Sequence, residues 1–240
     1  MPGLYKDEAI VLKTMKLGEA DRIVTLLTRE HGKVRAVAKG VRKTKSRFGG
    51  RLEPLTRVDL MLYRGRDLDT ITAAQIITSF DAVRTDYAML TSAAALVEAV
   101  EKIIPDRERA FSIYALLLGG LEALADGKGE SVVPAFLVKL LSLSGYHPQL
   151  TVCAGCGTTS GLSGFSPAMG GAVCQLCWQE DPDSFQVSGD TIMLLAPLLA
   201  GEFGQESYHD QTFESLQTLR RYAEYHIERP LRSLHLLIAS

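Results

Sequence analysis

The chain has 240 residues, of which 46% are hydrophobic and 22% charged, with a formal net charge of −2. Such a composition fits a globular protein with a buried core and excludes a disordered chain, and the lack of any uncharged apolar run of about 18 residues excludes a membrane-spanning helix. The opening MPGLYKDEAIVL has no basic segment followed by a long apolar one, so no secretory signal is expected, and the expected location is cytoplasmic, where four cysteines stay reduced.

The net charge hides a division. Up to Phe80 there are 16 Lys or Arg against 9 Asp or Glu, and from Asp81 onward 10 against 19. That asymmetry predicts a basic module with an anionic partner, carried by an acidic body.

The first 80 residues read as strands: DEAIVLKTMKL, ADRIVTLLTREHGKVRAVAKG, LTRVDLMLYRG and DLDTITAAQII are rich in Val, Ile, Leu and Thr. Val58, Leu60 and Leu62 alternate with Asp59, Met61 and Tyr63, the period of a strand with one face buried. EHGK, with Gly32, is a hairpin connection, while Gly40, Gly49-Gly50 and Gly65 mark further breaks. Five short strands with no helix for a βαβ crossover predict a small closed or half-closed barrel.

Between the third and fourth strands runs KGVRKTKSRFGGR, Lys39 to Arg51, with six Lys or Arg and no acid. Lys33 and Arg35 lie on the strand leading into it. A loop of this kind beside a barrel can follow a phosphate backbone, and an aromatic such as Phe48 can stack on a base. A solvated loop, with Phe48 as a plug on the barrel, is the bland alternative.

After Phe80 the period becomes helical. DYAMLTSAAALVEAVEKII ends at Pro105, and RERAFSIYALLLGGLEALADG and VVPAFLVKLLSLSGY each close near a glycine. An insert from about Thr151 to Asp183 follows, and GDTIMLLAPLLAG and QTFESLQTLRRYAEYHIERPL complete the helical reading. The predicted division is 1–80 barrel, 81–150 helical, 151–183 insert and 184–240 helical, an α+β plan.

The insert holds all four cysteines as Cys153-x-x-Cys156 and Cys174-x-x-Cys177, separated by 17 residues. Two such pairs match a four-thiolate structural site for one zinc ion, which is coordinatively full and does no chemistry. His226-Ile227-Glu228 is formally an HxE, but it follows both cysteine pairs, and neither pair is preceded by Pro, so a zinc deaminase is rejected. No phosphate-cradling glycine loop, GxSxG elbow or HExxH occurs. Asp67 and Asp69, beside a turn, read as solvated acids. No catalytic residues are expected.

Three stretches, LGEADRIVTLLTREHGKVRAVAKGVRKTKSRFGGRLEP, the double CxxC insert and the closing YHIERPLRSLHLL, together resemble the RecO family of bacterial recombination mediators, over essentially the whole chain. The resemblance implies an N-terminal OB-fold, a helical domain and an embedded zinc finger. It implies a non-enzymatic protein that binds single- and double-stranded DNA, anneals complementary strands and, with RecR, helps load RecA onto strands coated by SSB. RecF and RecA would be indirect partners, and the protein would be associated with the nucleoid. DNA contact is carried onto Lys33, Arg35, Lys39, Arg42, Lys43, Lys45, Arg47 and Arg51, with Phe48 as the stacking candidate, and zinc ligation onto the four cysteines. An acidic SSB tail would dock on the helical domain, with Arg220 and Arg221 as candidate contacts. The rival readings are an adaptor whose basic loop meets an acidic protein tail and a zinc-containing nucleic-acid-modifying enzyme.

Overall fold

The computed structural model describes residues 3–44, 46, 48–128, 131–201 and 209–239. Five strands, β1 (Leu4–Leu17), β2 (Asp21–Thr28), β3 (Gly32–Ala38), β4 (Arg57–Tyr63) and β5 (Asp69–Thr78), close into a barrel in the order β1-β2-β3-β5-β4. β1 is long enough to serve two neighbours: Leu4 to Ile10 pair with β4, and Ala9 to Leu17 pair with β2. A register shift between Val11 and Lys13 bends it at that handover, as bulges do at barrel corners. The ring is completed by a parallel pairing of β3 with β5 at Ala36–Asp69 and Val37–Thr70. Five strands in this order are the arrangement of an OB-fold.

Alternation along the strands fills the interior. Ala9, Val11, Val24, Leu26, Val34, Ala36, Ala38, Val58, Leu60, Leu62 and Ile71 form the barrel core. Phe48 and Leu52, from the connection between β3 and β4, belong to the same cluster, at 1% and 2% exposure. One end of the barrel is therefore stoppered by the connection itself.

The other end is sealed by polar groups. Asp69 is fully buried; its carboxylate accepts from the Tyr5 hydroxyl at 2.5 Å, from Arg107 Nη2 at 3.0 Å and from the Gly65 amide at 3.0 Å. Asp7 lies beside His31 Nδ1 at 2.6 Å. Asp69 is thus no solvated acid, as its place beside a turn suggests, but a buried one held by a long-range partner.

Helices α1 (Asp81–Thr85), α2 (Tyr87–Ile103) and α3 (Phe111–Ala125) follow. The chain forms two compact units, the first running through Ala93 and resuming at Val100–Ala125, the second made of Ala94–Ala99 and the residues from Asp126 onward. Within the first, the segment before α3 lies along β3. Arg107 N donates to Lys33 O at 2.8 Å, and a Cβ added to Gly32 (φ +70°) would fall 1.7 Å from Glu108 O, so only glycine permits that approach. From α3, Tyr114 hydrogen-bonds Glu8, which also accepts from Arg57 Nε at 2.6 Å.

In the second unit α4 (Val132–Leu143) is buried along most of its length and packs against α6 (Gly189–Ala200) and α7 (His209–Ile227). Ser188 caps α6 by accepting from Thr191 N at 3.2 Å, and Glu214 of α7 accepts from the Ser188 amide at 3.0 Å. The cysteine insert carries a three-stranded sheet in the order β7-β6-β8, formed by β6 (Leu162–Ser166), β7 (Gly171–Cys174) and β8 (Phe185–Gln186), with α5 (Gln175–Glu180) after β7. A last helix, α8 (Arg232–Ala239), closes the described chain. Among the described residues no helix is long and apolar enough to cross a membrane.

Candidate nucleic-acid interface and metal centre

The basic stretch is a string of tight turns. Lys43 N donates to Gly40 O, Ser46 N to Lys43 O and Arg51 N to Phe48 O, at 2.9 to 3.1 Å. It is tied down by Gly40 N donating to Asp21 Oδ1 at 2.7 Å and Arg42 N to Ala20 O at 2.9 Å, and the turns after it by Leu55 N donating to Val11 O at 2.9 Å. Its apolar residues Val41, Phe48 and Leu52 turn into the barrel, while Lys39, Arg42, Lys43 and Arg51 are exposed. The plug fixes the backbone and the cations project from it.

The predicted contact residues divide. Arg35, Lys39, Lys43 and Arg51 are exposed. Arg42 is exposed but also braces the β1–β2 turn, donating to Gly18 O and Glu19 O at 3.2 and 2.8 Å. Lys45 and Arg47 lie outside the described residues. Two expectations need correction on physical grounds. Phe48 is a core residue, and a buried ring cannot stack on a base. Lys33 is 9% exposed, with Nζ donating to Glu101 O at 2.7 Å and paired with Asp106 at 3.2 Å, so its charge is spent within the fold.

Beside the plug lies an open groove of about 550 Å³, lined by Ser46, Gly49, Gly50, Arg51, Ile76 and Arg84 among others. Arg84 carries no signal in the sequence. It follows the last barrel strand, and its guanidinium is held by Pro54 O at 2.5 Å, Thr56 Oγ1 at 2.7 Å and Ser79 O at 2.9 Å.

The four cysteines converge. Their sulfurs lie within 4.8 Å of one another, and Cys156 and Cys174 are 3.8 Å apart. A tetrahedral metal with sulfur bonds of about 2.3 Å has sulfur–sulfur edges of about 3.8 Å, so the donor set fits such an ion. The backbone is shaped for it: a Cβ at Gly155 would lie 2.9 Å from Cys177 Sγ, and the Cys174 amide donates to Cys153 Sγ at 3.3 Å. Burial works against a thiolate at Cys153, but amides of Cys156, Cys174 and Gly155 outweigh it and bring the thiol down to about 6. Cys177 is pushed up to about 12, first by its hydrogen bond with Cys153 and then by burial. One sulfur is prepared to give up its proton, and a bound cation would displace the other protons to solvent.

On the helices, Arg220 Nη1 lies 3.1 Å from His235 Nδ1, and the Arg221 guanidinium sits 3.6 Å from the centroid of Phe185. His226 is packed among Tyr146, Tyr222 and Tyr225 at ring separations of 4.5, 4.6 and 5.4 Å.

Residues 1–80 match the family described as Recombination protein O N terminal, and residues 84–235 match Recombination protein O C terminal. Proteins named DNA repair protein RecO align along nearly all of the chain. That of a Nocardioides species is 44% identical over 240 residues, covering 96% of this chain and 98% of its own. That of Cutibacterium acnes is 42% identical over 243 residues, with 97% and 98% covered. That of Bifidobacterium adolescentis is 43% identical over 245 residues, with 98% and 99% covered.

Proposed function

From the premise that the chain belongs to the recombination protein O family of DNA repair proteins, we propose that it binds DNA through the cations of the plugged barrel end and anneals complementary strands without bond chemistry. The observation that carries this reading is the anchoring of KGVRKTKSRFGGR: Val41 and Phe48 pack into the barrel while Lys39, Arg42, Lys43 and Arg51 are exposed. Placed in this way, Arg35, Lys39, Arg42, Lys43 and Arg51 lower the repulsion between two polyanionic strands while the bases stay accessible for pairing. Lys45 and Arg47 belong to the same stretch and to the same proposal.

We extend the same proposal to finer assignments that the family resemblance supports. Residues 1–80 form the DNA-binding domain, 81–150 and 184–240 the helical domain, and 151–183 a finger folded around one Zn²⁺ on Cys153, Cys156, Cys174 and Cys177. RecR is the direct partner in loading RecA on SSB-coated strands in the cytoplasm. An acidic SSB tail docks near Arg220 and Arg221. The finger itself offers no side-chain cation to a phosphate, since Thr151 to Gln186 contains no Lys or Arg.

The test is binding of a labelled single-stranded oligonucleotide across a salt series, for the wild type and for Arg35→Ala/Lys39→Ala/Lys43→Ala. Each lost contact flattens the slope of log K against log salt by about 0.7. An unchanged affinity and slope, with unchanged circular dichroism, would move DNA off this surface and favour the adaptor reading.

A further inference from the structure

We propose that the groove beside the Phe48 plug holds one unstacked base of a bound single strand, with Ile76 as its apolar wall and Arg51 and Arg84 facing the adjoining phosphate. The inference rests on the DNA-binding reading above and gives it a site for a single nucleotide.

Leu62 stands opposite Ile71, Leu60 opposite Ala74 and Val58 opposite Ile76. Directly opposed residues share a face of the sheet, and Val58, Leu60 and Leu62 are core residues. Ile76 is therefore the last member of the inward-facing row of β5, yet it is 42% exposed. A shift in register between Arg57 and Val58 leaves Ile77 as an extra residue beside it, the kind of bulge that re-aims side chains at a barrel rim. Phe48 fills the barrel interior but does not cover this final isoleucine. The result is inward-facing apolar surface in contact with water, lining an open groove.

The groove's other features say what covers it. Its volume of about 550 Å³ lies within the roughly 300–1,000 Å³ of small-ligand pockets. One side is the Gly49-Gly50 backbone, where an added Cβ would meet nothing within 4 Å, so a flat ring can lie close to the main chain. Arg84 contributes a charge whose three acceptors are all neutral oxygens. Of the two acids in the lining, Glu53 is paired with Arg22 at 2.8 Å and Asp81 accepts from the Ser79 hydroxyl at 2.8 Å. An apolar wall, an open backbone and cations at the edge match a base with its phosphate better than they match an aliphatic side chain. The groove is also continuous with the basic stretch, because Ser46, Phe48, Gly49, Gly50 and Arg51 belong to both.

The experiment uses the full-length protein and an oligo(dT) carrying one 4-thiothymidine. Irradiation of the complex should attach the modified base to the peptide bearing Ile76 or to that bearing Gly49 to Arg51. Ile76→Gln, which changes no charge, should weaken binding of the same oligonucleotide about tenfold with the salt slope unaltered. Strand binding of normal affinity and slope in Ile76→Gln, with crosslinks mapped elsewhere, overturns the groove while leaving DNA binding intact. Normal strand binding with lost RecR binding in Ile76→Gln also overturns it, and gives the groove to a protein side chain. A wild type that does not bind the strand at all overturns the DNA-binding reading first.

Discussion

The Tyr5 hydroxyl donates to Asp69 at 2.5 Å, joining two barrel strands that share no ladder. Burial alone would raise the Asp69 carboxyl, but Tyr5, Arg107 and the Gly65 amide outweigh it and hold it below the usual carboxylate range. A folded value below the unfolded one means that this contribution is present above about pH 4 and is lost as pH falls through the folded value. Asp69→Asn should therefore lower Tm at neutral pH and make the remaining acid loss shallower. Thermal melts from about pH 7 down to about pH 2 read both effects, and parallel curves for the two proteins would contradict the assignment.

Lys33 and Arg35 sit two positions apart on β3 and should fail differently. Lys33→Ala leaves the Glu101 carbonyl and Asp106 without their partner and should cost about 1–3 kcal/mol, read as a fall in Tm. Arg35→Ala should leave Tm in place and flatten the salt dependence of strand binding by about 0.7.

Phe48→Ala opens a cavity in the barrel core and should destabilise the first unit by about 3–5 kcal/mol. Phe48→Leu, which keeps most of the volume, should recover much of the stability and of the strand affinity. If Phe48→Ala instead melted like the wild type and only bound DNA less well, the ring would be a contact and not a plug.

Metal analysis of the purified protein should find one zinc per chain, and Cys153→Ser should lose it. Because the finger carries no cation to offer a phosphate, removal of the ion by a chelator should unfold residues of the insert while the salt slope of strand binding stays as it was. A steep fall in strand affinity with an intact insert would point to a catalytic or DNA-contacting metal.

His226 stacks on Tyr146, and its buried Nε2 has no hydrogen-bond partner among the described residues. Burial lowers its pKa below the usual histidine value. Between the unfolded value of about 6.5 and the lower folded one, the unfolded chain binds a proton that the folded chain does not, so stability falls as pH drops through that window. His226→Phe should remove this part of the acid slope. Melts at about pH 7.5 and about pH 5.5 would show the wild type losing more than the variant.

The strands of the barrel were legible because Val58, Leu60 and Leu62 alternate with residues that face outward, and the thiolate cluster because its spacing is set by the knuckles themselves. Lys33 was not, and for Phe48 the plug stood only as the alternative to a stacking role, for a common reason. Each is buried by something distant in the chain: Phe48 by the closed barrel, Lys33 by Glu101 and Asp106. In a local window both look like loop or strand-surface residues. Asp69 misled in the same way, its turn being visible and Tyr5 and Arg107 not. The short strands of the insert escaped because LSGFS and GAVC offer few β-branched residues. α8 escaped because the helical reading ended at Leu231, just short of it. Arg84 and Ile76, which line the groove, have no motif; a bulge at the end of β5 sets Ile76 there, and Arg84 is held there from α1 by Pro54, Thr56 and Ser79.

The ladder that closes the barrel joins residues far apart in the chain: Ala36 meets Asp69 only after the basic stretch and β4 have intervened. Non-local pairs of this kind form late, because the intervening loop must be ordered before they reward it. Until they form, Phe48 has no cavity to enter and the cations between Lys39 and Arg51 have no scaffold. A nascent chain leaving the ribosome thus carries the full positive charge well before it has a surface that can hold a strand, and the two become one property only when the ring shuts.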